Sequence, residues 1–330
     1  MRRAISLLTI TLVFSMTTTV LARDAVQLEP KAEATQKQDA KPKPIYDEQA
    51  DAREQIAEAL KHAKKENRRV LIQWGANWCG WCHLLHDTFK KDRDVRRELL
   101  YEYDLVLIDV GRFDKNVELA AEYEADFKKH GLPYLTVLDA DGNAIANQET
   151  GSLEAKGDGA KGHDPKAVLD FLTEHQAPNL DAESILASGL RAAKDQNKRV
   201  FLHFGAPWCG WCHRLEDWMA DENVAAILSK HFVDVKIDID RTLRGNEMKD
   251  RMTKGESAGI PWYAFLDAEG KIVADSTLPE KGNIGYPYTN VEIATFMKVI
   301  QKAARTLSDD DIKRLVKSLR NSGEEANKAK

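Results

Sequence analysis

All four cysteines of this 330-residue chain stand in two copies of one hexapeptide, Trp-Cys-Gly-Trp-Cys-His, which carry Cys79 with Cys82 and Cys209 with Cys212. Two intervening residues let the second sulfur fold back within disulfide distance of the first. In each copy a short apolar run precedes the motif, and the motif itself opens a helix. The first sulfur then meets unpaired backbone N–H groups and the positive end of the helix dipole, which favour thiolate over thiol. A dithiol so placed can attack a foreign disulfide and then release itself.

Other chemistries compete for the same residues. Cys-x-x-Cys-His also attaches c-type haem, but neither copy shows a clear second axial-ligand pairing. A shared zinc site would have to bring Cys82 to Cys209 across 126 residues, where zinc ribbons span about 15–20. Inert disulfides of this spacing close almost no loop and would stabilise the fold little. The dithiol reading therefore leads, with no metal and no dissociable cofactor.

The surrounding elements repeat with the motif. Arg69 to Asp87 aligns with Arg199 to Asp217 at an offset of 130 residues. Gly131-Leu132-Pro133 and the following LDADG match Gly259-Ile260-Pro261 and LDAEG at an offset of 128. Ile56, Leu60 and Ala63 fall on one face of an opening helix. Val70–Trp74 reads as a buried parallel strand, and Leu105–Val110 as the next one. Tyr134–Leu138 and Ala144–Ile145 suggest a hairpin through Asp141-Gly142, repeated by Trp262–Leu266 and Ile272–Val273 through Glu269-Gly270. Asp164-Pro165 supplies an N-cap and a first-turn proline for a closing helix. The order predicted for each copy is helix, strand, helix, strand, helix, strand, strand, helix. An amphipathic helix from Ser308 to Leu319 ends the chain.

On these residues each copy resembles a thioredoxin-fold domain, over roughly residues 48–176 and 180–304. The fold implied is α/β: two tandem domains, each a central mixed sheet flanked by helices, plus a C-terminal helix. By that resemblance Pro133 and Pro261 are cis prolines lying against the sulfurs. Leu132 and Ile260 offer backbone hydrogen bonds to a bound substrate strand, and Trp78 and Trp208 stand exposed beside the site. The family usually has a buried acid six residues before the first cysteine. Gln73 and His203 hold those positions here, so only the second copy keeps a titratable group and His203 is a candidate proton acceptor. A histidine following Cys-Gly-Trp-Cys is most similar to exported bacterial thiol–disulfide interchange proteins. Gly-Trp between the cysteines, where strong oxidants of the family carry His, leans towards a reductase. Oxidation or isomerisation of secreted proteins is the alternative within this chemistry, and a redox-inert peptide-binding module the alternative outside it.

Length and composition set the frame. Some 330 residues at ~150 per domain argue for two domains, and 43% hydrophobic residues suffice for a packed core. A formal charge of −5 argues against a nucleic-acid partner. Arg2, Arg3 and the apolar run from Ala4 to Phe14 read as a signal peptide cleaved after Ala22. The expected boundaries are 1–22 signal peptide, 23–45 disordered linker, 46–178 first domain, 179–306 second domain, and 307–330 C-terminal helix and tail. A periplasmic or secreted protein follows, without stable membrane insertion after processing. Its expected partners are disulfide-containing exported proteins and a membrane thiol electron donor.

Overall fold

The computed structural model describes residues 43–256, 258–278 and 282–328; the signal peptide and most of the linker read from the sequence lie outside them. The first half runs α1 (Ala52–Glu66), β1 (Arg69–Gly75), α2 (Gly80–Lys91), α3 (Arg93–Glu102), β2 (Tyr103–Asp109), α4 (Val117–Glu122), α5 (Phe127–His130), β3 (Tyr134–Leu138), β4 (Ala144–Glu149) and α6 (Pro165–Glu174). The second half repeats it as α7 (Ala182–Asp195), β5 (Arg199–Gly205), α8 (Gly210–Ala220), α9 (Glu222–Leu228), β6 (Phe232–Asp238), α10 (Gly245–Met252), β7 (Trp262–Leu266) and β8 (Ile272–Asp275). A short ribbon of β9 (Thr277–Leu278) and β10 (Gly282–Asn283) follows, then α11 (Asn290–Ala303) and α12 (Asp309–Lys328).

Each half builds one four-stranded mixed sheet, ordered β2-β1-β3-β4 and β6-β5-β7-β8. The central strand is parallel to one neighbour, with Gln73 opposite Leu107, and antiparallel to the other, with Gln73 opposite Leu135. Its side chains alternate between two buried faces. Val70, Ile72 and Trp74 join Ile56, Val106 and Ile108 on one side, whereas Leu71 joins Leu85, Phe89 and Val168 on the other. Burying each such side chain contributes about 1.5–3 kcal/mol, so both layers of helices are held on hydrophobic grounds. Gln73 shares the face of Leu71, on which the cysteine-bearing helix packs.

Sequence reading and structure differ where short polar residues cut helices. The single helix expected after the first motif is two, because the Asp92 side chain accepts N–H bonds from Asp94 and Val95 and starts α3. Asp221 does the same for α9. A capping carboxylate competes with helix continuation at that point. Asp164 and Pro165 open α6 as the sequence predicts, with the Asp164 side chain accepting from the Lys166 N–H. The hairpin bends sit where expected, at Gly142 (φ +88°) and Gly270 (φ +83°). The last helix runs to Lys328, beyond Leu319, and seats Leu315 and Leu319 in the core of the second half.

The two halves touch through charged residues. Arg241 donates to both oxygens of Glu102 (3.0 and 2.8 Å) and to the carbonyls of Glu66 and Asn67 (2.9 and 2.7 Å). Tyr101 donates its hydroxyl to Asp240 (2.9 Å).

Candidate functional site

Each motif stands where a central strand ends and a helix begins. Cys79 and Cys209 are the N-cap residues of α2 and α8. Their Sγ atoms accept the backbone N–H of Cys82 (3.1 Å) and Cys212 (3.2 Å). The first sulfur of each pair thus sits on orphan donors of a helix start, the placement that stabilises a thiolate. Both pairs are closed as disulfides, with Cα separations of 5.3 and 5.2 Å. All four cysteines are buried, the second of each pair more deeply than the first.

The residues expected around the sulfurs are brought together in both halves. Leu132-Pro133 and Ile260-Pro261 are cis peptide bonds. Leu132 packs against Cys79 and Cys82, Ile260 against Cys209 and Cys212, and the Ile260 carbonyl lies 3.7 Å from Cys209 Sγ. The proline carbonyls are anchored from the far side, by Thr150 Oγ1 on Pro133 (2.7 Å) and Asn283 Nδ2 on Pro261 (3.0 Å). Trp78 and Trp208 are 48% and 56% exposed, so each site has an apolar lip open to solvent. Their indole N–H groups are tied down by the Gly111 carbonyl (2.7 Å) and by Asp240 (2.8 Å). The same Asp240 carboxylate takes the Tyr101 hydroxyl, so the first half reaches the rim of the second site. His83 and His213 meet no sulfur. Their Nε2 atoms lie 2.9 Å from the carbonyls of Asn77 and Pro207, bracing the loop that presents each tryptophan.

Beneath the sulfurs the two sites part company. His203 is buried on β5 and pairs with Asp234 on β6 at 3.0 Å. Behind Cys212 also stands a group that sequence reasoning missed, Glu216. A Cβ at Gly205 would lie 3.2 Å from Glu216 Oε1 and 3.7 Å from Cys212 Sγ, so carboxylate and sulfur flank the same point and a larger residue there would crowd the carboxylate. Burial alone would push the Glu216 carboxyl up, but His213 and Lys236 outweigh it and hold the group down at about 2. In the first half the matching residue is His86, and the space behind Cys82 is filled from another direction. Tyr46, arriving from the start of the described chain, places its hydroxyl 2.5 Å from Gln73 Nε2. A Cβ at Gly75 would lie 2.1 Å from that hydroxyl and 2.8 Å from Cys82 Sγ. Asn77 fixes the segment by accepting the N–H groups of Ile45 and Tyr46 (2.9 and 3.0 Å). The sequence carried a signal for Glu216, four residues after Cys212 and hence on its helix face. The apolar Ile45-Tyr46 pair at the linker's end was a weaker one.

The tryptophans between the cysteines also differ. Trp211 stacks on Tyr288 (5.3 Å, 20°), whereas Trp81 meets the edge of His163 (5.7 Å, 85°). His163 is buried with neither ring nitrogen hydrogen-bonded among the described residues, and burial lowers its pKa to about 4. Its neutral form is thus favoured by folding. The stabilisation is complete above the ordinary histidine range near 6.5 and is lost as pH falls through about 4, because the unfolded chain takes up the proton first. Between pH 7 and pH 4.5 the unsubstituted chain should lose on the order of 2 kcal/mol more stability than His163→Phe. Urea unfolding at both pH values measures it; equal losses in the two chains would refute the assignment.

Among the described residues no group of three or more His, Cys, Asp or Glu side chains is gathered to hold a metal ion, and no helix is long and apolar enough to cross a membrane.

Comparison with known proteins agrees with this geometry. A thioredoxin-like domain family matches residues 56–157, and a second thioredoxin-like family matches residues 181–268. The chain is 24% identical over 248 residues to protein disulfide-isomerase 1 of Dictyostelium discoideum, covering 72% of this chain and 59% of that protein. It is 28% identical over 102 residues to the disulfide bond reductase DsbH of Chlamydia pneumoniae, covering 28% of this chain and 59% of that one. The chain thus spans about three fifths of the length of either relative. Among solved structures, a disulphide isomerase from Xylella fastidiosa Temecula1 is 27% identical, with a TM-score of 0.34 over 40% of this chain and 97% of that one. With one matched domain in each half and a Cys-Gly-Trp-Cys helix start in both, the chain belongs to the thioredoxin-like family as a tandem thioredoxin-fold protein.

Proposed function

We propose that the protein is an exported thiol–disulfide oxidoreductase that reduces protein disulfides through two dithiols. The observation that carries the reading is the placement of Cys79 and Cys209 as helix N-caps whose sulfurs accept backbone N–H bonds, each beside an exposed tryptophan. Reduced Cys79 or Cys209 attacks a substrate disulfide as thiolate and forms a mixed disulfide. Cys82 or Cys212 then attacks the first sulfur, the enzyme disulfide forms, and the second substrate thiol leaves. Two electrons pass to the substrate, and the chain ends in the disulfide form. Leu132 and Ile260, packed on the sulfurs, offer their backbone to an extended substrate segment, with Trp78 and Trp208 covering its side chains.

The reductase direction draws on the likeness to a disulfide bond reductase and on the absence of histidine between the cysteines. Likeness to a protein disulfide-isomerase over a longer stretch favours isomerisation as the second reading. The Arg2-Arg3 pair and the apolar run after it support export. An oxidising compartment drains reducing power, so a reductase there needs a donor, and a membrane-embedded dithiol protein is the partner that fits. Alkylation trapping in growing cells tests this reading. The expected result is a partly reduced pair that becomes fully oxidised when the membrane thiol carrier is deleted. Pairs fully oxidised in both strains rule the reductase direction out.

A further inference from the structure

We propose that Glu66 of the first half is a positioning residue of the second dithiol, acting through Lys236 on the Glu216 carboxylate that stands behind Cys212. The inference rests on the thiol–disulfide exchange reading and assigns a residue outside the second half to its site.

The contacts form an unbroken series. Glu216 Oε1 is buried without a hydrogen-bond partner among the described residues and faces the same point beside Gly205 as Cys212 Sγ. Glu216 Oε2 lies 2.9 Å from Lys236 Nζ and 3.7 Å from His213 Nδ1. Lys236 Nζ also contacts Glu66 Oε2 across the boundary between the halves. The three side chains are only 8%, 20% and 12% exposed, respectively, for Glu216, Lys236 and Glu66. A cavity of about 70 Å³ lined by Glu66, Asn67, Lys236, Asp238 and Arg241 opens beside them. His203 and Asp234, paired on β5 and β6, and Lys65, whose Nζ lies 3.9 Å from Glu66 Oε1, also stand around the cluster.

Charge decides what this arrangement does. Lys65, 3.9 Å from Glu66, and His213, 3.7 Å from Glu216, are each about half exposed and so largely screened by solvent. The buried part of the cluster is two carboxylates on one ammonium, a net negative charge in a poorly screened interior next to the sulfurs. A neighbouring negative charge disfavours thiolate. It therefore destabilises the reduced site, whose first cysteine is ionised, relative to the disulfide. The first site lacks this cluster: Gln73, Leu107 and His86 hold the positions of His203, Lys236 and Glu216, and the Tyr46 hydroxyl fills the remaining space. Two identical motifs therefore carry different reducing power, and the second is the stronger reductant. In the exchange the Cys209 sulfur and the substrate sulfur form a bond as the substrate S–S bond breaks. Cys212 gives up its proton to solvent, closes on Cys209, and expels the remaining substrate sulfur as thiolate.

The test equilibrates full-length chains with glutathione buffers at pH 7 and reads the reduced fraction by alkylation and mass. The second site is isolated by Cys79→Ser/Cys82→Ser, the first by Cys209→Ser/Cys212→Ser. With Glu66→Gln, Lys236 neutralises Glu216 alone, and the second site's equilibrium constant should move about fivefold towards the reduced form. That corresponds to about 20 mV in the less reducing direction at 29.6 mV per tenfold. Lys236→Met should move it at least as far in the opposite direction, and the first site should stay within about twofold under Glu66→Gln. Shifts of the same sign in both variants, or no shift, overturn the proposal. If Lys236→Met does not fold, the Glu66→Gln shift against the first-site control decides alone. A second dithiol in the unsubstituted chain that does not exchange with glutathione overturns the oxidoreductase reading itself.

Discussion

A chain carrying Cys79→Ser and Cys209→Ser together should lose disulfide reduction by on the order of 10³-fold, down to the rate of the reductant alone. A serine hydroxyl is not ionised near neutral pH and forms no exchangeable bond to sulfur. The helix-start N–H groups that favour thiolate at these positions then have no nucleophile to activate. Either single substitution should leave the other site working, since each half holds a complete set of strand, helix start and cis proline. Cys82→Ser/Cys212→Ser should behave differently. Attack remains but resolution does not, so the chain accumulates as a mixed disulfide with its substrate, visible as a heavier band on a non-reducing gel. The measurement is insulin reduction with dithiothreitol as donor. Substantial turnover by the Cys79→Ser/Cys209→Ser chain would sink the mechanism.

The second large effect concerns stability. Arg241→Ala should cost about 3–5 kcal/mol. The guanidinium and the Glu102 carboxylate are paired through two bonds, with side chains only 9% and 10% exposed. Removing Arg241 leaves a buried carboxylate without its partner and strips the donors from the Glu66 and Asn67 carbonyls. A buried charge left alone costs far more than an intact pair contributes. Adding Glu102→Leu to Arg241→Ala should therefore recover part of the loss, because no orphaned charge remains. Guanidinium unfolding of the full-length chains gives the comparison. A loss below about 1 kcal/mol, or a double variant weaker than Arg241→Ala alone, would count against a buried interface pair.

Much of the site was legible in the sequence because its parts are local. Cys79 and Cys82 share a helix start, and their spacing alone puts both sulfurs in reach of each other. The 130-residue repeat declared two copies, and the hairpin glycines, the Asp164-Pro165 cap and the apolar faces of α1 and β1 are short-range signals that local physics obeys. The positions of Leu132, Pro133, Ile260 and Pro261 were a different matter, reached through family resemblance, because nothing in three residues says which distant sulfur they will meet. What only the tertiary structure decided is the environment behind each disulfide. Lys236 alternates with the apolar Val235 and Ile237 along β6, and nothing local in the sequence says what covers its face of the strand. The first half covers that face, so Lys236 is buried between Glu66 and Glu216. Tyr46 lies 36 residues from Cys82 in the chain, yet its hydroxyl takes the place that charged groups hold in the other copy. Covalent spacing and helix geometry fix the dithiol itself. The field acting on it comes from side chains that only chain folding and the packing of one half against the other bring near.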